Sequence, residues 1–287
     1  MLATACSAPI HIGTPVEIPK AAEWQLALGG GATASSETAA LFNAAATQAK
    51  LITKQKWQCT DPAGSDCMPA QDMRDVVKGL FAVGIAGALD VHAELSGQVG
   101  LGHGWAIGAR WGSLGHRVDA FWQPFGRPNR DDKGAGPMLT VFAGYSGASV
   151  QAPAVLKDVK DLVQVPDSAR HAGHFGFQFG RRLGKFGWWQ LGPHVLVAHH
   201  TVTMAPSLPL FDDVAERVVQ SALPRTDASG WSQHVGGNAA IWIGWRPLWV
   251  GIEIAASYLR ADVQILGKME QIRAMQVMPT FHTAVRF

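Results

Sequence analysis

The chain has 287 residues, a net charge of +2, 47% hydrophobic residues, 32 glycines and 11 tryptophans, and only 16% charged side chains. Its length admits one large domain or two small ones, and with no Lys/Arg-rich stripe it excludes nucleic acid as a partner. The longest uninterrupted apolar run, 79–89, is far short of the roughly 20 residues a membrane-spanning helix needs, so any crossing of a bilayer falls to strands closed into a barrel.

Residues 1–22 contain Pro9, Pro15 and Pro19 and no periodicity, and read as a flexible, extended tail. Within it Cys6 follows Leu2-Ala3-Thr4-Ala5, which resembles the end of a bacterial lipoprotein signal and makes Cys6 a candidate lipidation site. Leu2 stands one place too far from the cysteine for that motif, and no charged or hydrophobic signal region precedes it. From Glu23 a period-2 pattern begins, with Trp24, Leu26 and Leu28 on one face of a strand over 23–34. Residues 35–78 break the pattern: a helix is expected over 37–53, then a polar loop carrying Cys59 and Cys67, then helical spacing near 72–77. A Cys59–Cys67 disulfide fits an oxidising compartment, and two cysteines alone are too few for a structural zinc site.

The run 80–101 is the clearest alternation, with Phe81, Val83, Ile85, Leu89, Val91, Leu95 and Val99 on one face and Asp90, His92, Glu94, Ser96 and Gln98 on the other. Shorter alternating runs follow at 104–112, 116–125, 137–148, 171–183, 186–204, 230–245, 248–264 and 271–287, which makes ten strands with 23–34. An even count puts both termini on one side of a membrane. The tight turns then gather on that side and the long connections (35–78, 149–170 and 205–228) on the other. Helical spacing at 155–162 and 210–219 suggests that these long loops are helical.

The last seven residues alternate Phe281, Thr283, Val285 and Phe287 against His282, Ala284 and Arg286. A half-buried strand ending on a terminal phenylalanine resembles the closing strand of the bacterial outer-membrane β-barrel superfamily. The resemblance implies an all-β fold, a ten-stranded antiparallel transmembrane barrel over 23–287 with helical extracellular loops. It further implies the outer membrane as location, the bilayer and lipopolysaccharide as surroundings, and the assembly machinery as a partner that reads the last strand. A surface or periplasmic protein partner is compatible with it. Trp24, Trp105, Trp111, Trp122, Trp189, Trp231 and Trp245 fall on the outward face, as aromatic girdles do.

The opposite face is the expected lumen. Its ionisable members include Asp90, His92, Glu94, Arg110, Arg117, Asp119, Arg182, Glu253 and Arg286. Unpaired buried charge is costly, so Arg110, Arg117, Arg182 and Arg286 should each find Asp90, Glu94, Asp119 or Glu253, closing the lumen with a salt-bridged network. Six of the 11 histidines also face inward: His92, His174, His194, His200, His234 and His282. His174, His194 and His234, counted from their turns, fall near one height on neighbouring strands, a spacing that suits a metal such as zinc or copper. His194 with Ser257 and Glu253 is the alternative, a hydrolase of the lipase or lipid-deacylase kind. Asp212-Asp213 resembles the paired aspartates of outer-membrane surface proteases, but the run around it reads as a solvated helix face. The leading expectation is non-enzymatic and needs no cofactor: a structural, surface-partner or narrow-passage barrel.

Overall fold

A computed structural model describes residues 13, 17–54, 75, 78–79, 82, 89–126, 136–149, 163–184, 186–212, 217–222, 226–245, 247–265 and 267–287. The strands are β1 (Trp24–Ala34), β2 (Leu89–Gly102), β3 (Trp105–Gly112), β4 (Gly115–Phe125), β5 (Met138–Ser149), β6 (Val163–Arg182), β7 (Gly187–Asp212), β8 (Arg217–Ala222), β9 (Thr226–Trp245), β10 (Leu248–Ile265) and β11 (Lys268–Arg286). One helix, α1 (Ser36–Lys54), follows β1. Antiparallel pairing runs from β1 through β7, passes to β9, β10 and β11, and returns to β1, so ten strands close a barrel. The short β8 pairs only with the far end of β7 and stands outside the ring. Closure leaves no strand edge within the membrane, the condition for a sheet to sit in hydrocarbon.

Polarity fixes which medium lies outside. Leu28, Trp111, Ile241, Ile243 and Ile252 are more than half exposed, whereas Arg117, Asp119, Glu253 and Gln276 are buried. A water-soluble barrel would carry the reverse arrangement. The final strand follows this rule: Phe281 and Phe287 lie outside, and His282, Ala284 and Arg286 lie within. Trp24, Trp105, Trp111, Trp122, Trp231 and Trp245 are exposed, and Trp189 shares the outer face, edge-on to Phe179 at 5.8 Å.

The wall is not of even height. β1 to β5 have 8 to 14 residues each, while β6, β7, β9, β10 and β11 have 18 to 26. Along β10 the outward residues run Leu248, Val250, Ile252, Ile254 and Tyr258, then change to Arg260, Asp262 and Gln264. Its inward residues change in the opposite sense, from Glu253 and Ser257 to Leu259, Ala261, Val263 and Ile265. The neighbours follow: Tyr258 is level with Val235 and Met275, and Arg260 with Gln233 and Arg273. Residues 248–258, rising about 3.4 Å each at a tilt of about 45°, climb about 26 Å, close to the apolar band of such barrels. Above Tyr258 the tall wall is therefore bathed in water and keeps an apolar interior of its own.

α1 begins where β1 ends. Ser35 caps it, its Oγ accepting the Thr38 amide at 3.3 Å. The helix packs on β11, with Thr38 and Ala45 buried. Lys78, Gly79 and Ala82 are helical, although a strand is expected from 80, and the described strand covers Leu89–Gly102. The reason is visible in the residues: positions 82, 84, 86 and 88 are all Ala or Gly, so that stretch alternates in size and not in polarity.

The described ends of 210–219 are paired strands and not one helix. Leu210 pairs with Val219 and Phe211 with Val218 across β7 and β8, so two apolar pairs fitted both a helix face and two paired strands. Helix is thus a minor part of the loops. β6 and β9 also start earlier than expected, at Val163 and Thr226. Residues 155–162, Cys6, Cys59, Cys67 and Asp213 lie outside the described residues, and Asp212 ends β7.

Candidate functional site

The lumen holds the polar side chains, and it is filled in three layers. The lowest is aromatic. Trp188, Trp242, Gly251 and His282 occupy one inward row across β7, β9, β10 and β11. Trp188 stacks on Trp242 at 6.1 Å, Trp249 lies 4.5 Å from Trp188, and His282 stacks on Trp242 at 5.7 Å. Gly251 makes this possible, since a Cβ there would stand 2.6 Å from the Trp242 ring. Gly29, next in the row, gives His282 its space in the same way. These inward tryptophans were not expected from sequence. The available signal was parity: if Trp189 faces lipid, Trp188 must face the lumen.

The middle layer is ionic. Arg117 Nε lies 2.7 Å from Asp119, and Arg110 Nη1 lies 3.6 Å from Glu94. Glu253 is fully buried and accepts from Asn238 Nδ2 at 3.0 Å, with His282 Nε2 3.7 Å away. His282 also approaches Glu94 at 4.0 Å. Arg182 and Arg286 lie lower, at the terminal mouth, Arg182 level with Trp188 and Arg286 opposite Gln25. Both bind Glu17, a residue of the segment ahead of β1, with Arg182 Nε at 2.9 Å and Arg286 Nη1 at 3.2 Å. Asp90 stands in β2 opposite Thr33, and its side chain lies outside the described ones.

That segment enters the barrel. Glu17 and Ile18 are buried, and Ile18 packs with Ala106, Phe121 and Phe142. Farther in, the Gly13 amide donates to Glu253 Oε2 at 2.7 Å. The chain turns at Ala22, which adopts φ 63°, and Ala21 bridges to Gly100. A side chain at Gly100 would strike the carbonyls of Pro19 and Lys20 at 2.4 and 2.0 Å, so only glycine lets the chain pass.

The upper polar layer contains the histidines. His174 and His234 face each other across Leu196, and His194 sits one inward step lower, between Gly176 and Gly236. Their hydrogen bonds diverge: His174 to Ser146 at 2.7 Å and His234 to Gln276 at 2.8 Å. His200 likewise bonds Ser232 at 2.7 Å. His92 is buried at the rim of β2, and among the described residues no three His, Cys, Asp or Glu side chains are arranged so that they could hold a metal ion. Ser257 shares the cross-strand row of His194 with Gly236 between them, but its hydroxyl donates to Gln276 at 3.3 Å. Glu253 lies two inward steps below Ser257, engaged with Asn238 and Gly13. Ser257 and Glu253 of the hydrolase alternative therefore engage different partners.

No protein-family model matches the chain, and no curated protein sequence does. Solved structures with some similarity include Ail, the attachment invasion locus protein of Yersinia pestis, at 9% identity and a TM-score of 0.28, over 93% of this chain and 99% of that one. Neisserial surface protein A follows at 10% identity and 0.26, over 92% and 97%. The CymD monoaromatic hydrocarbon channel has 8% identity and 0.20, over 94% and 89%. Similarity this low carries no argument, and the assignment stands on the molecule itself. A closed antiparallel ring of ten strands with a lipid-facing exterior, a polar interior and short turns at the terminal end gives this chain the fold of a transmembrane β-barrel.

Proposed function

We propose that the protein is a sealed barrel that anchors an extracellular surface, acting neither as a passage nor as a hydrolase. The observation that carries this reading is the filled lumen: tryptophans at the terminal end, ion pairs and the entering amino-terminal segment at mid-height, and buried Leu259, Val263, Ile265 and Ile272 above. Each layer would have to come apart for a solute to pass. The tall wall of β6, β7 and β9 to β11 supports the surface role, because it continues beyond the lipid boundary at Tyr258 with Arg260, Asp262, Gln264 and Arg273 outward. Lipopolysaccharide surrounds such a wall at its boundary, and the assembly machinery reads its last strand.

Planar-bilayer recording of the refolded protein tests the reading. A flat trace is expected, and regular stepwise conductance would replace it with the narrow-passage alternative. Assay against phospholipid and lipid A, beside a His194→Ala variant, covers the hydrolase. Turnover lost in that variant would restore it.

A further inference from the structure

We infer that the terminal mouth of the barrel contains a carboxylate-binding site, formed by Arg182, Arg286 and Gln25, which Glu17 occupies in cis as a built-in ligand.

The contacts have the form of a receptor on a peptide. Arg182 places Nε and Nη2 on the two Glu17 oxygens at 2.9 and 2.8 Å, the paired geometry in which a guanidinium recognises a carboxylate. Arg286 adds Nη1 to the same carboxylate at 3.2 Å and Nη2 to the Glu17 carbonyl at 2.8 Å. Gln25, directly across the strand pair from Arg286, accepts from its Nη2 at 2.9 Å and holds the fork in place. Gln123 reads the next backbone amide, that of Ile18, at 3.2 Å. The segment is thus gripped at one side-chain charge and at its main chain, as extended ligands are.

Side-chain contacts, with the Gly13 amide on Glu253, and not a strand ladder hold it in place. Beyond the turn at Ala22 it belongs to no strand, and its described sheet contact is the single bridge from Ala21 to Gly100. The barrel residues that hold it come from β1, β4, β6 and β11, whose geometry is set by their own pairing and not by the segment. Such a site persists when its occupant leaves. Arg182 retains 23% side-chain exposure, so the site opens toward the terminal mouth. The ligand class is a carboxylate, either of a small solute or of an extended acidic peptide.

The test uses full-length protein with Glu17→Ala in detergent. Its unfolding midpoint is followed as sodium acetate replaces sodium chloride at constant ionic strength. A second arm adds a synthetic peptide spanning 13–20, and the same peptide with glutamine in place of the glutamate. Acetate or the glutamate peptide should raise the midpoint by several degrees in the variant and leave the wild type, whose site is filled, unmoved. A larger rise with the glutamate peptide than with acetate identifies an extended segment as ligand, and a rise with acetate alone identifies small carboxylates. Equal shifts in variant and wild type, or glutamine and glutamate peptides acting alike, overturn the proposal. If the variant refolds poorly, refolding yield is the readout. Recovery in acetate but not chloride supports the site, and failure in both overturns it. None of these outcomes depends on whether the barrel conducts.

Discussion

Glu17 Oε1 and Arg286 Nη1 lie 3.2 Å apart, although 269 residues separate them. The contact ties the segment ahead of the first strand to the final residue of the last. Both partners are buried, with side-chain exposures of 5% and 4%, and Arg182 shares the Glu17 carboxylate, so Arg286→Ala removes two contacts to Glu17 while Arg182 keeps its charge paired. The change should therefore cost about 1–3 kcal/mol. Replacing Arg182 as well takes away both described cations and should cost more than the sum of the two single changes. Urea unfolding of the refolded single and double variants decides the point, and additive costs would count against it.

The floor of the lumen rests on complementary size. Trp242 is wholly buried and occupies the space that Gly251 leaves. Trp242→Ala should lose about 3–5 kcal/mol, the usual range for an aromatic cavity. Gly251→Val should lose about 1–3 kcal/mol by overpacking. Together they should cost less than the sum, because valine enters the space the indole vacates. Additive losses in a double-mutant cycle would show that the two residues do not share that space.

Alternation made much of this fold legible. A period of two with lipid on one side is a strong signal, and Leu248, Val250, Ile252 and Ile254 carry it without interruption. The same parity located Arg110, Asp119, His194 and Glu253 on the inner face. Legibility failed where both faces have one character, as at the helical Ala82, and where two apolar pairs fitted either a helix or paired strands, as at 210–219. The polarity reversal at Tyr258 is hidden for a related reason: alternation persists through it while its meaning inverts. Glu17 was beyond reach of any period, because the segment holding it takes its place from ion pairs and not from a repeating backbone.

The first turn of α1 carries a pH-dependent contact. The Glu37 carboxylate accepts its own backbone amide and the Ser36 hydroxyl, and then the Met275 amide at 3.4 Å, which together hold its pKa below the usual 4.5. Met275 lies on β11 just above the last β1 pairing, Ala34 with Val277, so this bond closes the strand edge that β1 leaves. Because the folded value is the lower one, the stabilisation is complete above about pH 4.5 and is lost as pH falls through the folded value. Exchange protection of the Met275 amide, corrected for intrinsic rate, should decline over that acid range. In a Glu37→Gln variant it should be flat, and identical profiles for the two proteins would remove the carboxylate from the explanation.

Placing the lipid boundary at Tyr258 makes the cost of a charge depend on its height along β10. Ile252 points outward with 60% exposure near the middle of the apolar stretch, and Gln264 points outward six residues above the boundary. In lipid vesicles Ile252→Arg should cost about 2–4 kcal/mol and Gln264→Arg about 0–1 kcal/mol, because only the first guanidinium must be drawn into hydrocarbon or thin the bilayer around it. In detergent the gap should narrow, since a micelle adapts its thickness to the side chain. Guanidinium unfolding curves in the two media measure both effects. Equal costs at the two positions in vesicles would place Gln264 within the membrane and move the boundary to the end of the strand, leaving the buried row from Leu259 to Ile265 as an apolar lining at membrane depth instead of the core of an extracellular wall.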